Sequence, residues 1–260
     1  MKKTTLASKD GDLLEKLIAK YGKVVTARQI ASEARHTWDY QQTHNRIQQL
    51  VKNGWLIRIK RGLYVISELS SRGFLSISPY VVSNLLVEES YVSFEAALAY
   101  HGMFDQFTDQ FISVSLKQFK AVNLEPIYYR FIKTQPKLYT GWEAVTIENL
   151  PAKIAFAEKA LVDLIHFRKN KYAVDLLIEK LQDHQADLEM TRLANFANLA
   201  SIKTIKIFGL VFDLLGLNSD QFHQLIKGRR STHHMRPEDK TFNAKWRLYY
   251  DSYFEKYRRN

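Results

Sequence analysis

The sequence predicts an α+β protein that starts with a winged helix-turn-helix and continues into a mixed region with a small β-sheet and a helical bundle. Apolar residues at helical spacing near the N-terminus, followed by a basic hairpin at 55–66, predict the first part. Helical periodicity dominates from about 154 to 258. We therefore expect two domains, 1–78 and 79–260, with the small sheet at about 111–150.

Composition limits the kinds of protein that this chain can be. Hydrophobic residues make up 46% of its 260 residues, which is enough for a packed core. The absence of cysteine excludes disulfides and thiolate metal sites and fits a reducing cytoplasm. No apolar run reaches the roughly 18 residues of a membrane span, and the polar start Met1–Asp10 is unlike a signal peptide. We expect a cytoplasmic protein without a membrane partner.

The positive charge is concentrated at the two ends of the chain. Residues 1–80 carry a balance of +8, residues 81–226 carry −3, and residues 227–260 carry +6, for a net charge of +11. Basic patches attract polyanions, and nucleic acid is the commonest one in a cytoplasm. A role in solubility alone is the alternative, and it is weaker at the N-terminus, where the predicted fold agrees with the charge.

Three helices are predicted before the hairpin. The first has one apolar face, formed by Leu13, Leu14, Leu17 and Ile18. Thr26 is a suitable cap for a second helix, which ends near Ala34. A short connection leads to Asp39, which caps a third helix that stops at Asn53-Gly54. This spacing is typical of a helix-turn-helix.

The third helix has a polar face that contains almost no carboxylate. With Ile47 at the centre of the buried side, the helical wheel places Thr43, Tyr40, His44, Leu50 and Val51 on that side. The opposite face and its flanks consist of Gln41, Gln42, Asn45, Arg46, Gln48, Gln49 and Lys52. Amides pair with adenine and guanidinium groups with guanine in the major groove, whereas a solvated helix usually mixes Glu with Lys. The pattern favours a duplex DNA partner over an ordinary polar surface.

The hairpin that follows is predicted to be the wing. Its residues alternate, with Ile57 and Ile59 on one face and Arg58 and Lys60 on the other, and Gly62 permits a tight turn. Cations near such a tip contact phosphate or the minor groove. The predicted DNA-binding residues of the chain are Thr26, Arg28, Gln41, Gln42, Asn45, Arg46, Gln49, Lys52, Arg58, Lys60 and Arg61.

The remaining elements follow from periodicity and turn residues. We predict a linker at Ser70–Ser78, a helix at Phe94–His101, strands at Phe111–Leu116, Ile127–Ile132 and Ala144–Ile147, and helices at Ile154–Arg168, Tyr172–Leu181, Met190–Ala200, Thr204–Leu215 and Phe222–Ile226. A final helix is predicted from about Phe242 to Tyr257, with an aromatic stripe that packs into the core.

Few residues beyond the N-terminal region indicate chemistry. Lys159 and Asp163 have the i,i+4 spacing of a surface ion pair, which we favour over a catalytic role. His233 and His234 lack further ligands for a metal. A basic patch that either binds phosphate or is merely an exposed loop is formed by Lys227, Arg229, Arg230 and Arg236. The glycines are too widely spaced to form a phosphate-binding loop, and the hydrolase motifs are absent. We therefore predict no catalytic residue, metal or cofactor.

Three segments carry a resemblance to a known family. They are the wing residues Gly54–Arg58 with Arg61–Tyr64, the segment Tyr91–Gly102, and the segment Ala157–Leu164. In order and spacing the chain resembles the AbiEi antitoxins of bacterial type IV toxin–antitoxin, or abortive infection, systems. It differs in having Ala157 where the family usually has proline before the Glu-Lys pair.

The resemblance implies a specific function. It implies a repressor that binds inverted repeats in its own promoter through the winged helix, and an antidote whose C-terminal domain neutralises a nucleotidyltransferase-like toxin without a stable complex. The resemblance also implies that the protein takes part in phage defence and acts as a regulator, not as an enzyme. A one-component regulator with a ligand-sensing C-terminal domain, and an enzymatic activity of that domain, are the alternatives.

Overall fold

Helices and a small sheet form the N-terminal part of the computed structural model, which describes residues 6–68, 72–106, 108–168 and 170–259. The elements of this part are α1 (Ser8–Tyr21), β1 (Val24–Thr26), α2 (Ala27–Ala34), α3 (Tyr40–Lys52), β2 (Leu56–Lys60) and β3 (Leu63–Ile66). The strands are ordered β1-β3-β2 with antiparallel neighbours. This confirms the predicted winged helix-turn-helix and adds β1, which is too short to predict from alternation.

Local side-chain bonds fix where α2 and α3 begin. Thr26 accepts a hydrogen bond from the backbone N–H of Gln29, and the Gln29 side chain accepts one from the Thr26 backbone. Asp39 and Gln42 form the same reciprocal capping box at α3. Each box satisfies backbone donors that the first turn leaves unpaired, so the helix-turn-helix geometry is set locally.

The hairpin has a hydrophobic core on each of its faces. Leu56 belongs to the core of the three N-terminal helices. Ile59 and Val65 instead pack with Val81 and Val82, which belong to the next part of the chain. A bulge between Arg58 and Lys60 shifts the register, so the simple alternation predicted for this strand is not kept. The wing therefore joins the N-terminal part firmly to the rest of the molecule.

A six-stranded mixed sheet follows, with the order β6-β7-β5-β4-β9-β8. Its strands and the helices before them are α4 (Pro79–Leu86), β4 (Ser90–Val92), α5 (Phe94–Tyr100), β5 (Gln110–Ser115), β6 (Val122–Leu124), β7 (Ile127–Lys133), β8 (Trp142–Ile147) and β9 (Leu150–Ala155). The predicted strands are confirmed, but the sheet runs from 90 to 155 and is wider than expected. Ile154, predicted as helical, pairs with Val92 in a parallel ladder. The first two residues of the predicted linker, 70–71, lie outside the described residues.

Helices pack against one side of this sheet and build the larger core. They are α6 (Ala157–Phe167), α7 (Lys171–Asp183), α8 (Met190–Ala200), α9 (Ile202–Leu214) and α10 (Asp220–Leu225). Their positions confirm the predicted bundle. None of the helices in the described ranges combines the length and the hydrophobicity needed to cross a membrane.

The predicted final helix, Phe242–Tyr257, is wrong. The chain forms a second small sheet, ordered β10-β12-β11, and ends in a 3₁₀ helix at Ser252–Tyr257. Its strands are β10 (His233–His234), β11 (Thr241–Asn243) and β12 (Leu248–Tyr250). The Trp246 ring packs directly on Gly209, where a Cβ would collide with it, and its indole N–H donates to Asp213 at 2.6 Å. Burial of this side chain, together with the β preference of aromatic residues, overrides the helical spacing.

Candidate DNA-binding surface

The outer face of α3 is exposed along its whole length. Thr43, Ile47 and Leu50 are buried against the other helices, which places the predicted polar face towards solvent. The exposed residues of that face are Gln41, Gln42, Asn45, Gln48, Gln49 and Lys52. Apart from the cap Asp39, the helix offers no carboxylate that would repel phosphate.

Short-range hydrogen bonds hold several of these side chains in place. The Gln41 amide donates to the side-chain oxygen of Asn45 at 3.3 Å, and the Arg46 guanidinium donates to the side-chain oxygen of Gln49 at 3.3 Å. The side-chain oxygen of Gln42 is engaged in the capping box at 3.2 Å. Because Gln42 has this structural task, Asn45 and Gln49 are the amides on this face best suited to read bases.

Arg46 lies towards α1 and is only partly available. Its guanidinium is 3.5 Å from the Asp10 carboxylate and 5.7 Å from the centre of the Trp38 ring. This contact ties α3 to α1 across the helical core. Arg46 therefore orients the helix as much as it offers a charge to DNA.

Two residues predicted on the buried side of α3 are exposed instead. Tyr40 is 84% exposed, because it occupies the first position of the helix, where no neighbouring helix covers it. His44 lies about a quarter of a turn from the middle of the buried face, and Gln48 bonds to it at 2.9 Å. The buried face is narrower than the wheel predicted, and both side chains enlarge the exposed face.

The hairpin turn lies beside the start of α2. The backbone N–H of Ala27 donates to the Gly62 carbonyl at 2.9 Å, which brings Arg61 near Thr26 and Arg28. Arg28, Arg58 and Arg61 are exposed and form no ion pair with any other described residue. Such free guanidinium groups, next to the N-terminus of a helix, suit contacts to phosphate.

Lys60 does not join this group. Its ammonium group donates to the Leu86 carbonyl at 3.3 Å, so it points towards α4. The bulge after Arg58 turns the side chain away from the side that sequence alternation predicted. Lys60 belongs to the contact between the wing and the rest of the chain. Thr26 is likewise engaged, because its hydroxyl caps α2.

The segments Tyr91–Gly102 and Ala157–Leu164 meet in the interior. Lys159 pairs with Asp163 and donates to the Tyr91 hydroxyl at 2.8 Å, and Ser93 donates to Asp163 at 2.8 Å. All four side chains are buried. The predicted surface ion pair is therefore wrong: Lys159 and Asp163 on α6 form a closed buried network with Tyr91 on β4 and with Ser93, which precedes α5. We call these four residues the central polar cluster.

Neighbouring charges in the same segments are also paired. Arg168 forms a bidentate ion pair with Glu95. The Glu158 carboxylate accepts a hydrogen bond from the Glu189 backbone N–H at 2.8 Å. Burial raises the pKa of the Tyr91 hydroxyl, and the adjacent Asp163 carboxylate adds to this effect. A tyrosine held neutral and carboxylates already bonded indicate a structural role for these segments. Only the resemblance to the family marked them in the sequence.

The predicted C-terminal basic patch loses one member. Arg236 is bound by Asp239 at 2.6 Å and by Asp251 at 2.5 Å, so its charge is already neutralised. Lys227, Arg229 and Arg230 remain exposed.

The adjacent residues His233 and His234 point to different sides of the C-terminal sheet, β10-β12-β11. His233 faces inward, 3.3 Å from Lys206, and burial lowers the pKa of His233, as does the charge of Lys206. Among the residues that the structure describes, no group of three or more possible ligands is arranged to hold a metal ion.

Comparison with known proteins agrees with the geometry of the N-terminal part. Residues 12–67 match the family described as "Transcriptional regulator, AbiEi antitoxin". This match confirms the resemblance to the AbiEi antitoxins for the part that carries the candidate surface. None of the curated proteins matches the sequence.

A solved structure shares the fold of nearly the whole chain. The crystal structure of RV2827C protein from Mycobacterium tuberculosis superposes with a TM-score of 0.66 at 13% identity, over 95% of this chain and 92% of that one. At this identity the likeness is one of fold. The shared fold extends over both the N-terminal part and the larger α+β region, whereas the AbiEi match is confined to residues 12–67.

Proposed function

We propose that this protein represses its own operon by binding promoter DNA and serves as the antitoxin of a type IV toxin–antitoxin pair. The exposed, carboxylate-free face of α3 is the observation that carries the DNA-binding half. The AbiEi match over residues 12–67 supports the same half. The antitoxin half is supported by that match and by the resemblance of Tyr91–Gly102 and Ala157–Leu164.

In the proposed complex α3 lies in the major groove. Asn45 and Gln49 present amides that pair with adenine edges, while Arg28 and Arg61 bind phosphates from the start of α2 and the hairpin turn. A promoter with inverted repeats would bind two copies, each placing one α3 in successive major grooves. Base contacts then determine the sequence, and the guanidinium contacts determine affinity and its salt dependence.

The promoter half is tested with DNA taken from upstream of the gene. Fluorescence anisotropy would compare the wild type with the variant Asn45→Ala plus Gln49→Ala on this fragment and on a scrambled one. We expect the variant to lose the preference for the promoter fragment, while Lys16→Ala, at an exposed position of α1 outside the predicted DNA-binding residues, keeps it. Equal affinity of the wild type for both fragments would contradict operator recognition.

The antitoxin half is assigned to residues 79–260, and its toxin is a nucleotidyltransferase-like protein that is neutralised without a stable complex. Removing residues 1–78 would expose Val81 and Val82, which Ile59 and Val65 cover. The full chain with Asn45→Ala and Arg61→Ala is therefore the better test. We expect it to derepress a promoter reporter and still to rescue cells that express the neighbouring toxin gene. Loss of rescue by this folded variant would contradict the assignment.

A cavity supports one alternative function, that of a ligand-sensing regulator. It has a volume of ≈ 250 Å³ and lies between α6, α7 and α9, with Arg168, Ser201 and Thr204 among its lining residues. A sensor would be stabilised by its ligand, so a thermal shift screen with nucleotides and metabolites tests this reading. A shift that Thr204→Val abolishes would favour the sensor over the antitoxin.

A further inference from the structure

A row of aromatic rings crosses the outer face of the C-terminal three-stranded sheet, β10-β12-β11. His234, Tyr249 and Phe242 occupy matching positions on β10, β12 and β11. The His234 and Tyr249 rings are stacked with centroids 4.3 Å apart and planes 12° apart, and Phe242 follows Tyr249 at 4.9 Å and 45°. We call these three residues the aromatic row. Its spacing is close to that of stacked rings.

Strand alternation leaves the two ends of the row open. Leu248 and Tyr250 on either side of Tyr249 are buried, so Tyr249 faces outward. β10 and β11 are the edge strands of the sheet, and Phe242 is 46% exposed. His234 is exposed as well, and no further described ring stacks on the outer faces of His234 or Phe242. Another planar ring could continue the stack at either end.

The charge around the aromatic row is positive and uncompensated. The carboxylates between residues 227 and 259 are all paired: Glu238 and Asp239 with Arg236, Asp251 with Arg236 and Lys171, and Glu255 with Arg258. The exposed cations of this segment without an ion pair to any described residue are Lys227, Arg229, Arg230, Lys240, Arg247, Lys256 and Arg259. Arg230 and Arg247 come shortly before β10 and β12 in the chain, next to the strands that carry His234 and Tyr249.

We propose that this face binds single-stranded nucleic acid. Unpaired bases would stack on the outer faces of His234 and Phe242, and the phosphates that link them would contact Arg229, Arg230 and Arg247. Duplex DNA does not fit, because its bases are already stacked and paired. The site is separate from α3 and does not depend on operator binding.

The aromatic row could instead serve only to stabilise the small sheet, since cross-strand aromatic pairs do so. The two roles differ in what the ring faces do. A stabilising pair needs the rings in contact with each other, whereas a binding site needs the free outer faces and the surrounding cations. Replacement of the end rings by an apolar side chain of similar size separates these roles.

The test is a binding titration with the full chain and fluorescein-labelled RNA and DNA strands of about 12 nucleotides, the size range of such sites. The ring-removing variant is His234→Leu plus Phe242→Leu. Phe242→Tyr keeps an aromatic ring at the same place. Tyr128→Leu, an exposed tyrosine on β7, is the matched control. The variant Arg58→Ala plus Arg61→Ala removes the wing cations and reports on binding through the winged helix.

We expect the double leucine variant to weaken strand binding by about tenfold or more, as stacking losses of this kind do. Phe242→Tyr, Tyr128→Leu and the wing variant should bind like the wild type, and unlabelled duplex should compete poorly. The labelled strand that binds more tightly, RNA or DNA, identifies which of the two nucleic acids this site prefers. Absence of strand binding by the wild type, equal binding by the folded double leucine variant, or a matching loss in Tyr128→Leu would overturn the proposal.

Discussion

The outer face of α3 and the central polar cluster are both built from polar side chains, but they differ in how the hydrogen-bonding groups of those side chains are satisfied. Asn45 and Gln49 bond only to residues within one turn and remain exposed. Lys159 and Asp163 are buried and bond to Tyr91 and Ser93, about seventy positions earlier in the chain. The first group keeps unused donors and acceptors for a partner, and the second has none to spare.

This difference separates residues for function from residues for the fold. A buried charged pair with all its partners in place fixes how α6 packs against β4 and the start of α5, and the loss of one partner leaves an uncompensated charge. An exposed amide contributes little to folding, so its replacement should change binding alone. Each prediction below tests one side of this contrast.

The largest effect is expected in the central polar cluster. Asp163→Ala leaves Lys159 buried without its counter-charge and should lower the free energy of unfolding by about 3–5 kcal/mol. Urea denaturation followed by circular dichroism measures this change. At temperatures where the variant stays folded, its DNA affinity should equal that of the wild type.

A double replacement serves as the control for that prediction. Lys159→Met with Asp163→Leu removes both charges and should cost less stability than Asp163→Ala alone, because no charge is left unpaired. A double variant that is no more stable than the single one would show that packing, and not charge pairing, dominates at this position.

On α3, replacement of Asn45 or Gln49 should affect binding and leave stability unchanged. Asn45→Ala or Gln49→Ala should each cost about 1–3 kcal/mol at the promoter site and relax the sequence preference there. Gln42→Ala should also lower helix stability, because Gln42 completes the capping box. Anisotropy and thermal melts on the same samples distinguish the two effects. Unchanged promoter affinity in both Asn45→Ala and Gln49→Ala would remove this face from the interface.

The hairpin cations should contribute to affinity for any duplex. Arg58→Ala plus Arg61→Ala should weaken binding to promoter and scrambled DNA alike and reduce the salt slope by about 2. Lys60→Ala is the matched control, since Lys60 bonds to Leu86 and should leave the slope unchanged. A salt titration that gives the same slope for all three proteins would contradict the assignment of the wing.

A smaller, pH-dependent effect is expected at Asp251, which is partly exposed. The hydrogen bond from Lys171 lowers the pKa of Asp251 from 3.8 to about 2, with Arg236 contributing. Because the folded pKa is the lower one, this stabilisation is present above about pH 4 and is lost as the pH falls towards 2. Asp251→Asn should therefore flatten the dependence of the melting temperature on pH in that range. The same dependence of the melting temperature on pH in the wild type and in Asp251→Asn would contradict this prediction.

The sequence predicted what depends on near neighbours. Thr26 and Asp39 identified the helix starts, because their capping partners are three residues away. The sequence did not predict the burial of Lys159 and Asp163, because their hydrogen-bond partners come from a distant segment. It also did not predict where the Lys60 side chain points, because a bulge in the strand determines this. The aromatic stripe from Phe242 to Tyr257 suited a helix or a strand, and the packing of Trp246 on Gly209 decided it.

The central claim is that the outer face of α3 lies against DNA bases, and site-directed cleavage tests it most directly. The chain has no cysteine, so Gln48→Cys places a single attachment point for an iron chelate on the edge of that face. Gln182→Cys, exposed on α7, is the matched control. We predict focused strand cleavage of the promoter fragment from position 48 and none from position 182. Cleavage from 182, or none from 48 while the labelled protein still binds the fragment, would contradict the account.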